Sequence, residues 1–290
     1  MKAIHPKKIF SIFRILINYS KRSKKFSFGF YGLLVFIFVG FVLSPLAPFD
    51  PRIWNTAPRD RPPSLQYPLG TTSTGQDMFW LLCWSIRNSL IIGFVSGLAV
   101  VFLGVLVGLI AGFKGGLVDR VVMLITDIFI VIPGMPIMIL LVFLFHDMAS
   151  LFFLSGVIAL FNWARPLRQI RAQVLSLRER EFINTAWFSG RNTLSIIIRE
   201  ILPHLTPWIL ALVANFSLIA IGSEAGLAVI GLSLTQEATL GMLIYWVLQY
   251  NAIFRNIWWW FLPSIITICL LFLVLFCLYS GVTDLITREA

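Results

Sequence analysis

Residues 89–113 run for 25 positions without a charged side chain, and residues 256–283 for 28. At 1.5 Å per residue about 20 apolar residues suffice to cross a hydrocarbon layer of about 30 Å. Inside that layer only helices and closed barrels satisfy their own backbone. The short alternating segments of a barrel are absent, so the runs predict an all-α polytopic membrane protein. Composition agrees: the chain is 58% hydrophobic and 12% charged, about half the charge of a soluble domain.

Within the two runs the spans are expected at 89–112 and 261–281, and the other apolar stretches fall at residues 28–48, 117–145, 150–163 and 207–222, for six expected spans in all. The first resembles a signal peptide in the order of its features, but no small-x-small cleavage site follows, so it reads as an uncleaved helix. Residues 1–27 read as a basic amphipathic segment on the membrane surface, since Lys2, Lys7, Lys8, Arg14, Lys21, Arg22, Lys24 and Lys25 alternate with Ile9, Phe13, Leu16 and Ile17. Residues 49–87 are polar and proline-rich, an external loop. Residues 88–281 form the transmembrane core, with a cytoplasmic loop at 164–206, and 282–290 form a tail. Trp258-Trp259-Trp260 reads as an interfacial anchor.

Eighteen of the 23 Lys and Arg residues lie on the side shared by both termini and by residues 164–206. By the positive-inside rule that side is cytoplasmic. The +10 net charge is thereby explained without nucleic acid. Cys83, Cys269 and Cys277 have no framework spacing, and His5, His146 and His204 are scattered, so neither disulfides nor a metal site are expected.

Several positions stand out within the apolar core. Gly93, Gly97, Gly104, Gly108 and Gly112 make one bare helical stripe that permits close helix packing, within this chain or against a partner. Pro133-Gly134 should kink or break the third span. Asp127 is an intramembrane carboxylate, either functional or bonded to a neighbouring helix. Gly222-Ser223-Glu224-Ala225-Gly226 suggests a helix break, making Glu224 and Pro133-Gly134 candidate flexing points. Thr206-Pro207 reads as an N-cap followed by proline at the first helical position.

The interval 163–207 is the long polar stretch between apolar flanks and reads as an excursion out of the bilayer. Within it Phe182, Ile183 and Ala186 share one helical face, with Glu181, Asn184 and Thr185 turned elsewhere. Ala186, Ser189 and Gly190 are small at positions that permit close approach of a partner. Gly190 suits a left-handed helix end, Asn192 or Thr193 can cap a second helix, and Pro203 should end or kink it. Two short helices with a glycine elbow would make a rigid lever.

These residues resemble the cytoplasmic loop of bacterial ABC-importer permeases, whose Glu-Ala-Ala, glycine and Leu-Pro pattern is matched at Ala186, Gly190 and Leu202-Pro203. Asn184 and Thr185 stand where that pattern has Glu-Ala. Further matches resemble the oligopeptide/dipeptide/nickel branch: Pro68-Leu69-Gly70-Thr71 with Gly75 and Asp77, Arg87-Asn88-Ser89-Leu90, Gly115-Gly116-Leu117-Val118-Asp119, Asp127, residues 177–182, Glu224-Ala225, Gly231-Leu232 and residues 260–263. Tyr67, Thr72, Gln76 and Ala238-Thr239-Leu240 depart from the branch's usual residues. The resemblance implies the type I importer transmembrane fold, in a prokaryotic cytoplasmic membrane. It implies as partners a second homologous permease, two ABC ATPases and an extracytoplasmic substrate-binding protein, besides membrane lipid. It also implies coupling through Glu181, Phe182, Asn184, Thr185, Ala186, Gly190, Leu202 and Pro203.

The chain has no Gly-x-x-x-x-Gly-Lys-Ser/Thr, so ATP and Mg are expected on the partner ATPases, with no cofactor on this chain and no enzyme activity of its own. A peptide is the expected cargo, with oligosaccharide and nickel as variants within the branch. The competing reading, a transporter driven by an ion gradient, needs charges lining a midplane site in matching halves; Asp127 and Glu224 are the candidates, and no half-to-half repeat is visible. An intramembrane enzyme would need a motif such as His-Glu-x-x-His or Gly-x-Ser-x-Gly, and neither occurs.

Overall fold

A computed structural model describes residues 23–145, 150–232 and 237–289. The basic segment expected up to residue 27 lies largely outside them. The described residues are mainly helical with no strand, apart from an isolated bridge between Thr71 and Asp77.

Helix α1 (Lys24–Ile37) starts where the Ser23 side chain accepts from the Phe26 amide at 3.3 Å, which satisfies one of the orphan donors of a helix start. It widens into a π turn over Phe38–Leu43. There Gly40 lies so close to α2 that a Cβ would sit 3.1 Å from the Arg87 Cα. Helix α2 (Met78–Lys114) begins at Asp77, whose carboxylate accepts from the Phe79 amide at 2.9 Å. It is about 55 Å long at 1.5 Å per residue and therefore outruns the expected 89–112 span at its N-terminal end. The cap and the buried Met78, Leu81 and Ile86 extend it there.

Helices α3 (Gly116–Val131) and α4 (Gly134–Leu144) are bent by 79° at Pro133. The proline drives Ile132 to an extended conformation, ψ 127°, so the expected break is present. Helix α5 (Leu151–Asn162) runs through the helical Trp163 into α6 (Ala164–Arg178). Helix α7 (Glu181–Phe188) follows. The next helix starts as α8 (Thr193–Ile196), passes a π turn at Ile197–Ile201 and continues as α9 (Leu202–Val229). Helix α10 (Leu240–Gln249) and the long α11 (Trp258–Glu289) complete the chain.

Four of these are apolar and long enough to cross a membrane, and the bent pair α3–α4 can supply a fifth crossing. The sixth expected span is α5, about 18 Å long, which is too short alone. Its continuation α6 prolongs the same rod against α2. Ser96 Oγ donates to Ser155 O at 3.2 Å, a Cβ on Gly104 would lie 2.9 Å from Pro166 Cγ, and one on Gly112 would lie 2.9 Å from Val174 Cβ. The contact positions rise together on both rods, so the pair α5–α6 runs parallel along α2. Within the interval 163–207, the fifteen-residue α6 buries Leu167, Ile170 and Val174 in the bundle. That apolar face packs on α2, while Arg168 and Arg171 reach the carboxylates of α3.

Three further expectations are overturned. Of the two effects expected of Pro203, the helix end does not occur; Thr193–Val229 is one continuous 37-residue helix. The π turn at Ile197–Ile201 absorbs the missing proline donor without stopping the chain. Thr206 is not an N-cap, since its hydroxyl donates to Leu202 O at 3.0 Å inside α9 and Pro207 lies in the helix interior. The helix does not break at 222–226 either. Glu224 is buried within α9, which ends only before Gly231, φ +83°. Tertiary contact holds the glycines helical: a Cβ on Gly226 would lie 2.6 Å from Met135 Cε.

Candidate functional site

The loop-end core gathers Ile183 and Ala186 of α7 with Ile196, Ile201, Ile170, Val174 and Phe113. Helix α7 is thereby docked by its apolar face, as the spacing of Phe182, Ile183 and Ala186 requires. Phe182 stacks on His204 with ring centroids 4.9 Å apart, and Trp187 stacks on Phe113 at 6.0 Å. Arg178 donates to Phe113 O at 3.0 Å, tying the end of α6 to the end of α2. Gly190 adopts φ +72° with nothing within 4 Å of a Cβ, so it closes α7 in the left-handed region that glycine enters freely. Of the two cap candidates Asn192 does the work, its Oδ1 accepting from the Ser195 amide at 2.8 Å. Arg191 pairs with Glu200 across the elbow.

Ala186 faces this core and so is not available to a partner. Outward stand Glu181, Asn184, Thr185, Ser189 and Phe188, the last 92% exposed. Phe188 was not singled out from the sequence; its position opposite Ile183 on the helical wheel was the available signal. Leu202 and Pro203 lie in the helix that leaves the site. The result is a short helix with one solvent face and one anchored face.

Asp127 is not alone in the bundle: it pairs with Arg168 of α6, and Asp119 pairs with Arg171, whose Nη2 donates to Asp119 Oδ2 at 2.6 Å. An apolar helix carrying carboxylates needs such cations nearby. Pro133 and Gly134 form the bend beyond Asp127.

The glycine stripe is consumed within this chain. Gly93 and Gly97 meet Ile221 and Ser217 of α9, while Gly104, Gly108 and Gly112 meet Pro166, Leu167, Ile170 and Val174 of α6.

At the opposite end, residues 50–77 form a compact polar cap. Gln76 Nε2 donates to Pro51 O at 2.6 Å, Thr74 Oγ1 to Gln76 Oε1 at 2.7 Å, and Trp259 Nε1 to Thr71 O at 3.2 Å. Asn88 donates to Ala238 O at 2.8 Å, and Ser89 Oγ accepts from the Leu240 amide at 2.9 Å. Thr239 Oγ1 donates to Glu224 Oε1 at 2.6 Å, so Glu224 ties α9 to the start of α10. The Arg52 guanidinium hydrogen-bonds Asp50 and holds its carboxyl below the usual carboxylate range. Arg52 also reaches Glu237 at 3.1 Å. No group of three or more His, Cys, Asp or Glu suited to a metal occurs among the described residues.

A family profile described as "Binding-protein-dependent transport system inner membrane component" matches residues 104–288. The oligopeptide transport system permease protein OppC of Mycobacterium tuberculosis is 28% identical over 214 residues, covering 73% of this chain and 74% of that protein. OppC of Lactococcus lactis subsp. lactis is 31% identical over 73% of this chain and 71% of its own length. The dipeptide transport system permease protein DppC of Bacillus subtilis is 29% identical over 74% of this chain and 67% of its own length.

Proposed function

From the premise that this chain belongs to the binding-protein-dependent transport inner membrane components, as an ABC-importer permease of the oligopeptide/dipeptide group, we propose that it forms half of a peptide translocation pathway and takes its drive from a separate ATPase. The observation that carries the coupling is α7. Its Ile183 and Ala186 are sunk in the core while Asn184, Thr185 and Phe188 face solvent, so a partner gripping the outer face moves the whole loop. The motion passes into α6 and into the 37-residue helix that begins at Thr193.

On this reading the chain is a multi-pass membrane protein whose loop end and termini face the cytoplasm. Its complex holds a sister permease, two ATPases that bind ATP and Mg, and an extracytoplasmic binding protein. The polar cap of residues 50–77 faces that protein.

The test is to solubilise the tagged chain gently, identify what co-purifies, and cross-link from a Phe188→Cys variant. Recovery of ATPases with the cross-link on them, and ATP-dependent uptake of a labelled oligopeptide after reconstitution with the binding protein, is the expected result. A chain that purifies alone and transports without ATP overturns the reading.

A further inference from the structure

We propose that the pairs Asp119–Arg171 and Asp127–Arg168 form a two-point clasp that makes the broken helix pair α3–α4 follow the loop. The inference rests on the coupling role assigned to that loop above.

Helix α3 is weakly held by apolar packing. Thr126 is its one buried residue, and Leu117, Val121, Leu124 and Val131 are exposed. Lateral fixing therefore falls to polar and aromatic ties, and these converge on the α5–α6 rod. Asp119 lies in the first turn of α3 and meets Arg171; Asp127 lies four residues before its end and meets Arg168. Phe129 adds an edge contact to Trp163, ring centroids 5.2 Å apart. The two carboxylates are about 12 Å apart along the helix at 1.5 Å per residue. Two anchors at that separation set the direction of α3 as well as its position.

The charges are not explained as a source of stability. The Asp119 and Arg171 side chains are only 16% and 26% exposed, and replacing such a half-buried ion pair by matched apolar residues is often neutral or stabilising. What the pairs add is register. A slide of α6 along α2 by one helical turn would part both pairs unless α3 travels too. Because Asp127 sits just before the 79° bend, a movement imposed on α6 reaches α4 through it. The other face of α6, at Leu167, Ile170 and Val174, is fixed to the glycine stripe of α2. The arginines and the apolar face thus make α6 the junction between loop, central helix and broken helix.

The test uses the full chain in lipid nanodiscs, with its three cysteines replaced and spin labels at Leu124 and Phe188, both exposed. The distance distribution between labels is measured in the parent, in Asp119→Asn with Asp127→Asn, and in the swap Asp119→Arg with Arg171→Asp. In parallel, peptide transported per ATP hydrolysed is measured in the reconstituted importer. The clasp predicts a narrow distribution in the parent and a broad one in the double Asn variant. It also predicts a fall in transport per ATP of about fivefold or more, the usual scale of a coupling between sites, with recovery of both in the swap. A helix that merely lost stability would lower both transport and hydrolysis and leave their ratio alone. An unchanged distribution, or an unchanged ratio, overturns the clasp. Should the double variant fail to insert, Asp127→Asn alone breaks the more exposed pair and is read in the same two ways. A parent that does not couple ATP to transport overturns the functional reading, while the label distances still decide whether α3 is clasped.

Discussion

The glycine stripe gives the sharpest quantitative test, because Gly→Ala should have opposite signs at two helical positions of one bundle. At Gly97 a Cβ would lie 2.5 Å from Ser217 Oγ and 2.9 Å from the Ser217 backbone nitrogen. Optimal separations are about 3.5–4.0 Å, and a backbone atom cannot rotate out of the way, so α2 and α9 must part. Overpacking of this kind costs about 1–3 kcal/mol, against about 0.5–1 kcal/mol gained from alanine's lower backbone entropy loss in a helix. Gly97→Ala is therefore expected to destabilise by about 1–1.5 kcal/mol when the repulsion lies in the middle of its range. At Gly156, in α5, nothing lies within 4 Å of a Cβ, so Gly156→Ala keeps the helix gain and stabilises by about 0.5–1 kcal/mol. The assay is unfolding of the purified chain in mixed micelles along a denaturing-detergent titration, followed by circular dichroism. Gly97→Ala as stable as Gly156→Ala would refute the claim that the stripe is spent on packing inside this chain.

Three further outcomes are expected. Gly190→Ala meets no side chain but forces alanine to φ +72°, a strain of about 1–2 kcal/mol; it should reduce ATP-driven transport while the complex still co-purifies, and undiminished transport would count against a rigid elbow. Thr239→Val removes both the cap on Met242 and the donor to Glu224, so it should destabilise by about 2 kcal/mol or more, whereas Thr239→Ser should keep most of the parent's thermal stability. The Asp50 carboxyl, held below its usual range by Arg52, contributes stability that is present above its unfolded value of 3.8 and is lost as the pH falls through the lower folded value. Carboxyl titration by NMR should show Asp50 returning upward in Arg52→Gln, and no change would remove that ion pair from the account.

What could be read from the residues alone was governed by local physics. Uncharged runs as long as residues 89–113 must be membrane helices. Pro133 must disturb the backbone around it, and Gly190 can close a helix where another residue could not. The short helix after Glu181 follows from the spacing of Phe182, Ile183 and Ala186. The family, too, was legible, since its motifs lie in a fixed order along the chain.

Whatever depended on distant partners was not legible. Pro203 and Pro207 look like helix stops, yet a π turn and the packing of α9 carry the helix through them. Glycines at 222 and 226 look like a break, yet contacts with Phe272 and Met135 keep them helical. A count of the arginines in residues 164–178 cannot see that Asp119 and Asp127 wait on another helix. A helix surface has two faces, and the apolar one at Leu167, Ile170 and Val174 found the glycine stripe of α2. Sequence determines which segments must be helices, because backbone hydrogen bonds in lipid close within about one turn. Tertiary structure decides where each helix stops and which face meets which neighbour. Those choices are set by packing and charge pairing between residues distant in the chain, as Arg168 with Asp127, Ser96 with Ser155 and Gly97 with Ser217 show.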